Sequence, residues 1–164
     1  MPIVSGLVVR RSPVHGYGVV AQRRFMTGEV LIHAEGFIYG EDEVFDDTYA
    51  LVLPTDDLPG IAGSFIYYDL VDQSRWINHS CEPNTEVESA IDSGTGLPIA
   101  WWIASRDIEP GEELFYDYAF VGSVAEPCGC GAPTCRGLIV DPDPVELAAI
   151  PEPLRPHLRL RATG

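Results

Sequence analysis

Apolar residues along the chain come in short runs broken by glycine and proline, the pattern of many short strands and turns with few long helices. Residues Ile3 to Arg10 and Tyr17 to Gln22 read as strands flanking Pro13 and a Gly16-Tyr17-Gly18 turn. Thr27-Gly28-Glu29 marks the next turn, and Val30-Leu31-Ile32-His33-Ala34 reads as a buried strand. Ser64 to Leu70 is another strand. Thr85 to Ile91 alternates loosely and Pro98 to Ala104 is apolar; with Asp92-Ser93-Gly94-Thr95-Gly96 between them they predict a hairpin, with Trp101 and Trp102 in the core or on the sheet face. Glu109-Pro110-Gly111 turns the chain into a strand through Leu114, Phe115 and Tyr116. Residues 41 to 63, acidic and holding Pro54 and Pro59, predict an irregular insert within the same domain. From residue 141 onward, Pro142, Pro144, Pro151, Pro153 and Pro156 leave room for a short helix around residues 144 to 149 and a loosely packed tail.

At 164 residues the chain has the size of one domain and can bury a core without covalent staples. No apolar run approaches the ~20 residues that cross a bilayer, and no apolar stretch precedes a cleavage site near the N-terminus, so an intracellular protein is expected. The net charge of −15 sets 25 acids against ten arginines and no lysine. Such a surface repels a phosphate backbone, so direct nucleic-acid binding is not expected, whereas a basic peptide would be steered toward it. Seven of the acids fall between Glu41 and Asp57, which focuses the field. A solubilising surface is the plainer reading of the same charge.

Candidate chemistry concentrates in Arg75-Trp76-Ile77-Asn78-His79-Ser80-Cys81-Glu82-Pro83-Asn84. An apolar pair there runs into amide, imidazole and thiol groups and then a helix-stopping proline, which suits a short helical turn entering a fixed loop. Its buried polar groups need partners, from backbone or from a ligand. The four cysteines are Cys81, Cys128, Cys130 and Cys135. Four thiols can form a tetrahedral zinc site or two disulfides, and a reducing compartment disfavours the disulfides.

Three stretches in order resemble the SET-domain family of protein lysine methyltransferases: the Arg75–Asn84 segment, Gly111-Glu112-Glu113-Leu114-Phe115-Tyr116-Asp117-Tyr118, and Cys128-Gly129-Cys130 with Cys135. His15-Gly16-Tyr17-Gly18 is similar to that family's cofactor loop. The resemblance implies a mainly β fold with short helices, small sheets around a pseudo-knot, followed by a post-SET zinc loop. It implies a SET domain over residues 1–122 with the acidic insert at 41–63, a post-SET segment at 123–138 and a proline-rich tail at 139–164. It implies S-adenosylmethionine contacts at Gly16, Tyr17, Gly18, Arg75, Asn78 and His79, zinc ligands Cys81, Cys128, Cys130 and Cys135, and channel tyrosines Tyr116 and Tyr118. Transfer of one or two methyl groups to lysine in a basic protein or peptide, such as a histone, is the implied activity. A non-catalytic peptide-binding module and a purely structural zinc protein are the alternatives. Glu112 and Glu113 are expected to support their turn. Where the family often carries Glu-Tyr, this chain has His33-Ala34, and either Tyr67 or Tyr68 is the candidate for a further site tyrosine or a core residue.

Overall fold

The structure, a computed structural model, describes residues 5–159. The first strand, β1, is Leu7–Arg11, so the part of the expected strand at Ile3 and Val4 lies outside the described residues. It pairs antiparallel with β2 (Tyr17–Ala21), and Leu7, Val19 and Ala21 are buried. The strand β3 (Val30–His33) is edge to a three-stranded sheet whose other members, β8 (Thr85–Ile91) and β9 (Pro98–Ala104), form the expected hairpin. That hairpin closes through Asp92 N–H to the Leu97 carbonyl at 2.9 Å and Gly96 N–H to the Asp92 carbonyl at 2.7 Å. Burial alternates along β9 with period two, which puts Trp102 wholly inside and leaves Trp101 half-buried.

The insert is more ordered than its acidity predicts. Within it Ala50–Pro54 forms β5, which, like Gly36–Gly40 (β4) just before the insert, runs antiparallel to β6 (Phe65–Leu70). The reason lies in two apolar positions at strand spacing: Leu51 and Leu53 point into the core, while the acids stay on connecting loops and Pro54 ends an edge strand, where its missing donor costs little.

A 3-10 turn over Gln73–Trp76, capped by Asp72, feeds the two-residue strand β7 (Asn78–His79). That strand pairs parallel with β10 (Phe115–Tyr116), so the two chemistry-rich segments meet although far apart in sequence. Asn84 and Thr85 clamp β10: Asn84 Oδ1 accepts from Phe115 N–H at 2.8 Å, its Nδ2 donates to the Glu113 carbonyl at 2.8 Å, and Thr85 Oγ1 donates to the Phe115 carbonyl at 2.7 Å. All of this rests on one core that includes Phe25, Ile77, Trp102, Ile108 and Leu114, each worth about 1.5–3 kcal/mol on burial.

A second, smaller core forms beyond residue 122. The strands β11 (Glu126–Pro127) and β12 (Leu138–Ile139) pair, the helix α1 (Pro144–Ala148) follows, and Ala125, Leu138, Val140 and Ile150 are buried with Leu147, Leu154 and Leu158 against them. Asp143 caps α1 by accepting from Val145 N–H at 2.8 Å. The tail is therefore docked through residue 159, in place of the loose packing predicted. Pro151 caps a 3-10 helix at Glu152–His157 that itself holds Pro153 and Pro156, and a Cβ on Gly137 would overlap the His157 carbonyl. Residues 160–164 lie outside the described residues. Among the described residues no helix is long and apolar enough to cross a membrane.

Candidate active site

The turn between β1 and β2 is held by one amide. Asn78, 8% exposed, places Nδ2 within 2.8 Å of the Tyr17 carbonyl, 3.1 Å of the His15 carbonyl and 2.9 Å of Glu113 Oε1. Ser12 Oγ donates to Glu113 Oε2 at 2.9 Å from the far side of the turn. A Cβ at position 18 would overlap Glu113 Oε1, so a side chain there would push the carboxylate off Asn78 and Ser12. Glu113 thus departs from its expected role. Glu112 alone supports the Glu109–Gly111 turn, accepting from Glu109 N–H at 2.6 Å and pairing with Arg106, because adjacent residues of an extended segment face opposite ways.

Tyr116 and Tyr118 face one side, ring centroids 4.7 Å apart, with Trp102 edge-on to Tyr116 and His79 edge-on to Tyr118. Tyr118 Oη donates to the Ile77 carbonyl at 2.8 Å. Burial pushes both phenols above their ordinary range, helped at Tyr116 by Tyr118 and at Tyr118 by Glu113 and Tyr49, so both remain hydroxyls.

Tyr49 was not legible as a site residue, yet it is the insert tyrosine within electrostatic reach of Tyr118. It stands edge-on to Trp76, which stands edge-on to Tyr17, making an aromatic row from the insert to the glycine loop. Neither earlier candidate joins that row. Tyr68 is buried with its hydroxyl on the Ala34 carbonyl, and Tyr67 packs against Phe45 and Phe65. Strand alternation assigns the two to opposite faces, but it does not say which face meets the site. Arg75 lies over the Tyr49 ring at 4.1 Å and near Trp76 at 5.2 Å, with a buried Nε that has no hydrogen-bond partner.

The sulfurs of Cys81, Cys128, Cys130 and Cys135 all lie within 4.8 Å of one another, with Cys81 and Cys128 at 3.9 Å. A tetrahedral thiolate site with metal–sulfur bonds of about 2.3 Å has sulfur–sulfur edges of about 3.8 Å, so the set fits one zinc ion. Glu82 ties the cysteine loop down by accepting from Thr134 N–H at 3.1 Å. Burial pushes the Cys81 thiol up to about 11, against the Arg136 N–H that favours its ionised form. At Cys130 burial acts the same way, but hydrogen bonds from the Cys81 and Ala132 backbone and from neighbouring thiols bring it down to about 7. A cation among them would favour the thiolate at all four.

His79 is buried and neutral: desolvation lowers its pKa to about 4 despite the Asp117 carboxylate 3.6 Å from Nδ1. That nitrogen accepts from Tyr118 N–H at 3.1 Å, and Nε2 lies 3.4 Å from Cys81 Sγ. Its imidazole therefore faces protein on both sides, and only the backbone of β7 is left to serve a ligand.

Comparisons with known proteins agree with this geometry. The family model described as SET domain matches residues 16–119. The chain is 33% identical over 148 residues to "Histone-lysine N-methyltransferase TRX1" of Oryza sativa subsp. japonica, covering 82% of this chain and 14% of that protein. It is 35% identical over 135 residues to "Histone-lysine N-methyltransferase ash1" of Drosophila melanogaster, covering 76% of this chain and 6% of that one. The chain thus spans a small part of these relatives' length. Among solved structures, KRYPTONITE in complex with mCHH DNA, an H3(1–15) peptide and SAH is similar with a TM-score of 0.65 and 26% identity, over 81% of this chain and 29% of that one. Over the residues that carry the glycine loop, the Asn78 anchor and the paired tyrosines, the chain belongs to the SET-domain family.

Proposed function

We propose that this chain is an S-adenosylmethionine-dependent protein lysine N-methyltransferase, with residues 1–122 as its SET domain, 123–138 as a post-SET zinc segment and 139–164 as a tail. The observation that carries the reading is the buried, protonated Tyr118 hydroxyl, fixed on the Ile77 carbonyl beside Tyr116 and next to the loop that Asn78 anchors. The relatives named as histone-lysine methyltransferases, and a similar structure holding SAH and a histone peptide, support it.

S-adenosylmethionine supplies a methyl group made electrophilic by its sulfonium, so the protein's work is alignment and exclusion of water. Gly16, Tyr17, Gly18, Arg75 and Asn78 would hold that cofactor, with the backbone of His79. Tyr116, Tyr118 and Trp102 wall a dry channel in which a lysine amine, with an ordinary pKa of about 10.4, is driven toward its neutral, nucleophilic form. The Tyr118 hydroxyl orients that amine, and the Tyr116 hydroxyl limits the room around it. Cys81, Cys128, Cys130 and Cys135 would hold zinc as a structural staple.

The acids of residues 41–57 favour a lysine-bearing basic peptide, a histone tail being the type the relatives' names point to. A substrate of that kind goes with an intracellular, and for a histone a chromatin, location. The same charge of −15 disfavours direct contact with a nucleic-acid backbone.

Purified chain incubated with labelled S-adenosylmethionine and a panel of basic proteins and lysine peptides should transfer label to lysine. Cofactor and peptide binding without transfer would instead establish a non-catalytic binding module. In the same assay Tyr116→Phe should shift products from mono- and dimethyl toward higher methylation, with the rate held within about tenfold, the scale of one hydroxyl's net hydrogen bond. A product ladder identical to the parent's would take Tyr116 out of the channel. Asn78→Ala should weaken cofactor binding about 5- to 150-fold, since it frees two loop carbonyls and a carboxylate at about 1–3 kcal/mol. Calorimetry showing equal affinity for folded mutant and parent would reduce Asn78 to a packing residue.

A further inference from the structure

His79 stands between the cysteine cluster and the backbone that carries the tyrosines. Tyr118 N–H donates to Nδ1, so the lone pair is there and the ring proton sits on Nε2, which points at Cys81 Sγ. A second strap runs alongside: Arg136 N–H donates to the same sulfur at 3.4 Å, while its guanidinium donates to Asp117 Oδ1 at 2.8 Å, one residue before Tyr118. The side chains of His79 and Arg136 are 4% and 12% exposed, so neither strap is loosened by water.

We propose that His79 is a positioning residue that ties Cys81, as a metal-bearing sulfur, to the backbone of Tyr118, so that zinc and the methyl donor strengthen each other's binding. This rests on the reading of zinc and S-adenosylmethionine as the bound groups. A zinc-bound thiolate accepts a stronger, charge-assisted hydrogen bond than a thiol does, and that bond fixes the tautomer and plane of the imidazole. The fixed ring then holds the His79 backbone in β7, one of the groups that would carry the cofactor, in place against β10 and the Tyr118 amide. Without the metal-bound sulfur the ring is free to turn or change tautomer, and the β7 backbone loses that support. Coupling of two binding equilibria is reciprocal, so either ligand must raise the affinity of the other by the same factor.

The test is zinc affinity, read by competition with a chromophoric chelator with and without S-adenosylhomocysteine. In the parent protein S-adenosylhomocysteine should raise zinc affinity about tenfold, within the usual range of coupling between sites. His79→Asn keeps an acceptor toward Tyr118 but has no group in place of Nε2, and His79→Gln keeps a donor toward Cys81 but not the acceptor. Both should bind zinc and S-adenosylhomocysteine with the coupling factor reduced to near one. A measurement that needs no variant is the long-range proton–nitrogen NMR spectrum of His79 in zinc-loaded protein, which should show the Nε2–H tautomer. With 113Cd in place of zinc, scalar coupling should reach that proton. An Nδ1–H tautomer, a factor near one in the parent, or an unchanged factor in both variants overturns the link. Protein that binds both ligands independently overturns the link alone. Protein that binds neither overturns the proposed function with it.

Discussion

Tyr118→Phe is expected to lower turnover about 100- to 1,000-fold, the effect seen when one preorganised polar group is removed from a reacting centre. The hydroxyl is buried, protonated and held by the Ile77 carbonyl, so its direction is set before any substrate arrives. Phenylalanine keeps the ring contacts with Tyr116, His79 and Phe120 and deletes only that group. The loss should fall on kcat, with cofactor affinity nearly unchanged, because Asn78 and the glycine loop are untouched. Stability should drop by about 0.5–1.5 kcal/mol for the lost hydrogen bond. Stopped reactions followed by peptide mass spectrometry, with calorimetry on the same samples, separate the two quantities. A mutant with the parent's kcat would remove Tyr118 from the chemistry.

Removing zinc should have the larger structural effect. One zinc per chain is expected, and chelation or Cys81→Ser should melt residues 123–159 while leaving the first core folded. Ala125, Leu138, Val140 and Ile150 are a small core for a segment of this length, whereas a structural zinc contributes about 10–16 kcal/mol in small peptides. Cys81 would supply its ligand from beside the first core, 47 residues before Cys128, so the staple would join the two cores across a long loop. Hydrogen exchange should show protection lost beyond residue 122 and retained in β8 and β9. Full protection of the C-terminal segment in metal-free protein, or a disulfide found by mass spectrometry, would defeat the assignment.

What could be read from the chain alone was whatever has a local cause. Alternation with period two sets Tyr116 and Tyr118 on one side, and the apolar run Pro98 to Ala104 puts Trp101 and Trp102 in the core or on the sheet face, the structure deciding that Trp102 is the one inside. Glycine and proline mark the turns, and Asp143-Pro144 marks the start of α1. The stretch around Asn78 was legible because its residue types are unusual for a core, whereas the zinc set of four cysteines and the roles of Tyr116 and Tyr118 were legible only through resemblance to the SET-domain motifs. Tertiary structure decided the rest. Glu113 could not be separated from Glu112 until Ser12, 101 positions earlier, and Asn78 were seen to take its two oxygens. Tyr49 could not be preferred over Tyr67 or Tyr68, because the face of the insert sheet that meets the site is set by how that sheet docks. The tail looked loose because five prolines interrupt it; its apolar residues fill a small core with Ala125, Leu138 and Val140, which local pattern does not show. The double engagement of His79 has the same origin. Its neighbours two residues on and 39 residues on are brought to its two nitrogens by the parallel pairing of β7 and β10, an arrangement that depends on chain closure and leaves no trace in local pattern.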